Sequence, residues 1–251
     1  MRILITGHKG FIGQNMVNAL SKDHRIVGYE WGDKPYSLEG VDRVIHLGGI
    51  SSTTCTDEQA IKVKNYDYSV TLVEECVRRN IPIQIASSAS VYGTKNTTFV
   101  ETDEVDPQTL YAKSKAAVEA FCGGLKASSP VQLFRYFNVY GPYEDHKGDQ
   151  ASPQHKFQKQ VDELGYIRLF KGSENFYRDF VPVEQVVAVH ETFFDIKESG
   201  IWNVGTGVPQ SFFDVALSIT DNIEWIEMPK ELEAGYQKYT CADTSKLNRY
   251  L

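Results

Sequence analysis

Cysteine is scarce: Cys55, Cys76, Cys122 and Cys241 are the only four in 251 residues, far apart and with no C-x-x-C pair. That excludes a paired-thiol redox motif and a zinc ribbon, and leaves free thiols in a reducing compartment as the reading. The six histidines show no H-x-x-x-H or similar ligand spacing, so no metal site is expected. No apolar run approaches the length needed to span a bilayer. Lys and Arg never run longer than a pair, and the formal charge is −7. A nucleic-acid surface, which needs a concentrated basic face, is therefore excluded, while a small anionic ligand held by a few placed cations is not. Internal repeats and low-complexity segments are also missing. Met1 leads directly into a strand-like run with no signal peptide before it, so a cytoplasmic protein is expected.

Strand and helix patterns are what the sequence does contain. "RILIT", "RIVGYE", "VDRVIHLGG", "IPIQIASS", "PVQLFRYFN" and "GIWNVGTG" read as strands. Between them stand helical stretches, among them "QNMVNALSK", "DEQAIKVKNYDYSVTLVEECVRRN" and "LYAKSKAAVEAFCGGLKA". Alternation of this kind, with strands apolar on both faces, predicts an α/β fold: a Rossmann-like, doubly wound parallel sheet. Residues 1–139 supply most of it. From about residue 140 the pattern turns irregular and polar, with a helix near 153–164 and the strand "IRLF". Residues 140–251 are accordingly expected to form a small interwoven α+β lobe, with segments near 178–205 returning to the sheet. Only about a dozen residues separate the end of "RIVGYE" from "VDRVIHL". A complete half of the fold needs another helix and strand there, so the third strand is predicted to be missing.

"TGHKGFIG" places Gly7, Gly10 and Gly13 between a strand and a helix. Gly7 permits the tight turn, Gly10 lets the backbone approach a pyrophosphate, and Gly13 lets helix and strand pack closely. The free N–H groups of the helix start then face the phosphates. Glu30 closes the second strand, where a carboxylate can accept from a ribose 2′-hydroxyl and repel a 2′-phosphate. An ordinary strand-end surface glutamate is the alternative. Lys34 is the one nearby cation in the sequence.

"LYAKSK" contains Y-x-x-x-K, with Tyr111 and Lys115 one helical turn apart on one face. A tyrosine with a pKa near 10 is a poor base at neutral pH, and a neighbouring ammonium is expected to lower it. Upstream, "ASSASVYG" puts Ser88 at a strand end, able to hydrogen-bond a reacting oxygen. Glycine turn, strand-end serine, and helical tyrosine and lysine together resemble the extended short-chain dehydrogenase/reductase family of nucleotide-sugar epimerases and dehydratases. Beyond residue 130, "FRYFNVYGPYEDHKG", "GSENFYRDFV", "NVGTG" and "YQKYTCAD" look most like the ADP-L-glycero-D-manno-heptose 6-epimerases within it.

That resemblance implies a tightly held NAD or NADP and a nucleotide-diphosphate sugar whose inverted carbon is transiently oxidised and re-reduced. A homo-oligomer is also implied. Residue by residue, Tyr111 and Lys147 match the two acid/base positions, Ser88 the oxygen-orienting serine, and Lys115 the cofactor-ribose lysine. Cofactor contacts are implied at Phe11, Ile12, Trp31, Leu47, Gly48, Gly49, Ser51 and Val139. Around the substrate, Asn138, Phe170, Gly172, Ser173, Arg178 and Tyr236 match, as does Lys147. Arg178 can bridge phosphate oxygens bidentately; its alternative is a salt bridge with Asp179 or another carboxylate. Lys147, in the polar loop "EDHKG", is either a solvated surface charge or the second acid/base.

The chain departs from the heptose group at Asp149, Lys156, Lys171 and Gly235, and it ends before the family's C-terminal helix. With the shortened segment after Glu30, these changes bear on the sugar's identity and on the choice between NAD and NADP; the acidic Glu30 favours NAD. Other readings are a nucleotide-sugar 4-epimerase, a reductase or 4,6-dehydratase, and a cofactor-binding scaffold without turnover. Dehydration is disfavoured because "SASVYGTKN" lacks the Asp-Glu pair it needs. A scaffold is disfavoured because serine, tyrosine and lysine are all retained.

Overall fold

Apolar residues occupy both faces of the first strand, β1 (Arg2–Thr6), and Ile3, Leu4 and Ile5 are completely buried. The same holds along β3 (Arg43–His46), β4 (Ile83–Ser88) and β5 (Val131–Tyr136), whereas β2 (Arg25–Tyr29) is partly open. With β6 (Gly200–Val204) these strands form a six-stranded sheet in the order β6-β5-β4-β3-β1-β2. Every neighbouring pair is parallel. The computed structural model describes residues 1–33, 36–230 and 236–251. Lys34 and Gly235, both singled out from the sequence, lie outside these described residues.

Helices cover both faces, as a buried parallel sheet requires. On one side, Met16 and Leu20 of α1 (Phe11–Leu20) pack with Ile3, Ile5, Ile45 and Val187. On the other, Leu72, Val73 and Cys76 of α2 (Tyr68–Arg78) and Val118 and Cys122 of α3 (Leu110–Gly123) pack on Leu4, Val44, Ile83 and Leu133. All four cysteines are free thiols. No described helix is long and apolar enough to cross a membrane.

The expected gap is present. Between Tyr29 and Arg43 the described residues form neither strand nor helix, and β2 is the sheet's edge. One element differs from the sequence reading. "DEQAIKVKNYDYSVTLVEECVRRN" is not one regular helix: Glu58–Ile61 runs through a π-helical segment, Lys62–Asp67, before α2 begins. Such segments carry an extra residue per turn, which hydrophobic periodicity does not reveal.

After β5 the chain builds a second, smaller core. Ser152 caps α4 (Pro153–Leu164) by accepting from His155 N at 3.2 Å, and Gly165 ends it in a left-handed conformation with φ 81°. Phe157 of α4 is buried with Ile167, Leu169, Phe180, Val215 and Ala216. The strand Ile167–Phe170 pairs in parallel with Ile223–Ile226. A four-stranded sheet joins Gln210–Ser211, Tyr177–Arg178, Tyr239–Ala242 and Thr97–Phe99, so the segment before residue 139 also contributes a strand here. Helix α5 (Val183–Thr192) then returns the chain to α1 and the main sheet.

A buried ion pair ties α3 to β5 below the site. Arg135 Nη2 lies 2.6 Å from Glu119 Oε2, with both side chains at most 5% exposed. Ser87 Oγ also donates to Glu119. Removing one partner leaves an uncompensated charge in the interior, so Glu119→Ala should cost about 3–5 kcal/mol. Denaturant unfolding of the two proteins measures this, and an unchanged midpoint would contradict it.

Candidate active site

The glycine turn is a contact surface as well as a bend. Gly7 has φ 73°, and a Cβ there would stand 2.8 Å from Gly48 N. A Cβ on Gly13 would stand 2.0 Å from Gly7 O. Side chains at either position would therefore push α1 away from the turn or the turn away from the segment following β3. No acidic residue lies in the first turn of α1, which leaves its N-terminal partial charge unopposed locally.

Around this turn lies a cavity of about 220 Å³. Its lining includes Gly7, Gly10, Phe11, Ile12, Gly13 and Glu30 from the turn and β2, Leu47, Gly48, Gly49, Ile50 and Ser51 after β3, and Tyr111, Lys115, Tyr136, His146 and Lys147. Trp31 lines an adjoining cavity of about 160 Å³ that shares Gly7, Glu30, Gly48, Gly49 and Ile50 with the first. Val139 lines neither cavity and packs instead against the core beneath. Glu30 is fixed in place: its Oε1 accepts from Lys9 N at 2.6 Å and lies 3.3 Å from His8 Nδ1. A glycine cradle that a side chain would block, a helix N-terminus and a held carboxylate fit a dinucleotide with its phosphates on the turn.

Tyr111 and Lys115 sit on the first turns of α3, whose start is capped by Thr109 accepting from Ala112 N at 3.1 Å. Lys115 Nζ donates to Ala86 O at 2.9 Å and lies 5.7 Å from the centre of the Tyr111 ring. Here the sequence expectation needs correction. Burial pushes the Tyr111 hydroxyl above its ordinary pKa, and the force opposing this is a hydrogen bond with Ser88, not the lysine charge. Lys115 is itself desolvated, which brings its ammonium down to about 8 and weakens any hold on the tyrosine. Ser88 lies near enough to Tyr111 to oppose that shift, and its Oγ accepts from Ser90 N at 3.2 Å.

Lys147 belongs to the short 3₁₀ segment Asp145–Gln150, where Gly148 takes φ 50° and reverses the chain. Its side chain is only 20% exposed, with Nζ 3.6 Å from Glu144 Oε2 and 4.8 Å from the Phe11 ring centre. Burial lowers its pKa, and Glu144 opposes that shift. A solvated surface charge does not describe this residue. Glu144 was not legible as a site residue. It is fully buried and accepts from Gly141 N at 3.2 Å, Ser152 N at 2.6 Å and Ser152 Oγ at 2.7 Å. The one signal for it is the helix-capping Ser152 that it binds. His146, on the cavity wall, was likewise missed.

The remaining substrate candidates gather elsewhere in the lobe. Arg178 stands 5.5 Å from the ring centres of both Phe212 and Tyr236, and Tyr236 packs on Phe176 at 4.9 Å. Ser173 donates to Phe170 O, and Gly172 turns the chain with φ 89°. None of Phe170, Gly172, Ser173, Arg178 and Tyr236 lines the main cavity, nor does Asn138, exposed at the start of the strand Asn138–Tyr140. The alternative role for Arg178 is not realised: among the described residues it has no ion pair. It donates to Tyr177 O at 2.8 Å and Gln237 O at 2.5 Å, and burial lowers its pKa. Asp179 instead accepts from Thr206, Gly207 and Ala242. Among the departures, Lys156 Nζ donates to Asp149 O at 3.1 Å, and Lys171 pairs with Glu227.

Solved structures share this fold over nearly the whole chain. The ADP-L-glycero-D-manno-heptose-6-epimerase of Helicobacter pylori superposes with a TM-score of 0.88 at 22% identity, covering 99% of this chain and 89% of that one. A UDP-N-acetylglucosamine 4-epimerase from Methanobrevibacter ruminantium, solved with UDP-N-acetylmuramic acid, gives 0.86 at 22% identity, over 99% and 91%. The Thermus thermophilus UDP-glucose 4-epimerase, solved with NAD, gives 0.82 at 24% identity, over 99% and 92%. The family model for NAD dependent epimerases and dehydratases matches residues 31–205, the stretch that carries Ser88, Tyr111, Lys115 and Lys147. By that match, the chain belongs to the NAD-dependent epimerase/dehydratase family.

Proposed function

We propose that this protein inverts a carbon of a nucleotide-diphosphate sugar by transient oxidation and re-reduction, and that it acts most like an ADP-glycero-manno-heptose 6-epimerase. The observation that carries the reading is one cavity walled by two different proton-exchanging groups, Tyr111 and Lys147, and floored by the glycine turn. A nicotinamide, when bound, supplies acceptance and return of a hydride. The chain's own residues do the rest. Ser88 holds the Tyr111 hydroxyl, Tyr111 exchanges a proton with the sugar oxygen in one orientation, and Lys147 does so in the other. Glu144 keeps Lys147 aimed at the cavity, and Lys115 anchors the cofactor's ribose.

Arg178 supports an anionic substrate. A half-buried guanidinium with carbonyl partners and two aromatic faces keeps donors for diphosphate oxygens. A single acid/base would suffice for a reductase, so the second group on the cavity favours an epimerase. The test is incubation with ADP-heptose, UDP-hexose and UDP-hexosamine epimers in turn, followed by proton NMR. Inversion at C6 of the heptose supports the full reading. Inversion at C4 of a UDP-sugar alone would retain the epimerase and overturn the heptose assignment.

A further inference from the structure

Four polar side chains are sealed in the apolar layer between the main sheet and α5. Gln84 of β4, Gln132 of β5 and His190 of α5 are completely buried, and Tyr136 of β5, only 7% exposed, lines the main cavity. Gln84 pairs in register with Gln132, and Ser88 with Tyr136, so these strand positions share one face of the sheet. The proton exchange assigned to Tyr111 and Lys147 uses none of the four.

Their hydrogen bonds can run in one direction only. Gln132 Nε2 lies 2.9 Å from Ile196 O and 3.3 Å from Glu198 O, and backbone carbonyls only accept. Gln132 therefore turns its Oε1 to Gln84 Nε2, at 3.1 Å. The same Nε2 donates to His190 O at 3.1 Å, so Gln84 presents Oε1 to His190 Nδ1 at 2.8 Å. An amide oxygen only accepts, which puts the imidazole proton on Nδ1. His190 carries no second proton, because burial and the Arg43 charge hold its pKa down to about 3. Nε2 is thus a lone pair, and Tyr136 Oη, 2.5 Å away, donates to it. Two carbonyls that follow α5 fix where the proton of a cavity-wall hydroxyl points.

We infer that His190 is a positioning residue: it keeps the Tyr136 hydroxyl proton turned away from the cavity, so that Tyr136 gives no hydrogen bond to the Tyr111 oxygen. The two tyrosines are close enough for charge on Tyr111 to raise the Tyr136 pKa. A Tyr136 hydroxyl free to turn would donate to an ionised Tyr111, favour that form and weaken it as a base. The other charged groups facing the cluster are Arg43 from β3, with Asp195 near it, and Lys115 and Lys147, which line the cavity with Tyr136. The inference rests on the acid/base reading of Tyr111, and its test needs no turnover, so either can fail while the other stands.

NMR of the full chain, with imidazole nitrogens labelled with ¹⁵N and tyrosine Cζ with ¹³C, tests this. In wild type, His190 should hold the Nδ1-protonated neutral tautomer across the neutral range; an imidazolium or the Nε2-protonated tautomer would overturn the inference. Tyr136→Phe should leave the Tyr111 pKa within about 0.3 of wild type, since no donor is lost. A rise of about one pH unit there would show that Tyr136 had been donating to Tyr111, and would overturn it too. His190→Leu should lower the Tyr111 pKa by about one pH unit, the scale of one hydrogen bond to an ionised group. Adding Tyr136→Phe to His190→Leu should restore the wild-type value. No shift in a folded His190→Leu, or a shift that the second substitution leaves in place, would reduce His190 to a packing residue. Wild type and Tyr136→Phe decide the matter even where His190→Leu does not fold.

Discussion

Lys147→Ala is expected to keep its fold and bind cofactor normally, yet epimerize its substrate slower by roughly two to four decades, the usual contribution of a positioned acid/base. The reason is geometric. To be inverted, the carbonyl intermediate must offer both faces to one hydride donor. At C6 of a heptose the carbonyl group turns about its bond to the ring, so its oxygen occupies different places before and after. One tyrosine cannot stay within hydrogen-bond reach of both. Lys147 has the needed properties: it lines the cavity that Tyr111 lines, burial eases loss of its proton, and Glu144 fixes its direction. The variant should still reduce an added carbonyl analogue whose oxygen faces Tyr111. Wild-type epimerization by Lys147→Ala would return this lysine to a purely structural role.

Tyr111→Phe should likewise lose roughly two to four decades in turnover. Its signature differs from that of the lysine variant. Burial raises the Tyr111 pKa and Ser88 opposes this. Taking the proton of the sugar hydroxyl during oxidation needs the deprotonated form of Tyr111, so the rate it supports should climb as pH rises. Removing the hydroxyl should flatten that alkaline limb while leaving cofactor affinity unchanged. Near-normal turnover, or an unchanged limb, would take Tyr111 out of the mechanism. Ser88→Ala should cost less, since it removes a hydrogen bond to the tyrosine and leaves the exchanging group in place.

Much of the sheet was legible because parallel strands buried on both faces leave continuous apolar runs, as "RILIT" and "IPIQIASS" do. The missing strand was legible for a simpler reason: the segment after Glu30 is too short to hold a helix and a strand. What refills the gap was not. Tyr36 and Tyr68 are distant in sequence, and their meeting depends on the tertiary fold. The π segment is hidden because one extra residue in a turn leaves no mark in hydrophobic periodicity. Glu144 reads like any glutamate in a polar loop, since beyond the capping Ser152 nothing local signals that Gly141 and Ser152 fold over it. The direction of the Tyr111 shift is hidden in the sequence because spacing places Lys115 nearby without revealing how far both groups are desolvated.

The central claim is that the inverted carbon loses and regains a hydride within one cavity, and isotope placement tests it most directly. Substrate bearing deuterium at that carbon should yield product with the label retained at the same carbon. The unlabelled substrate run in D₂O should yield product with no deuterium there. Appearance of solvent deuterium at the inverted carbon would mean that a proton is removed and replaced, and would contradict the account.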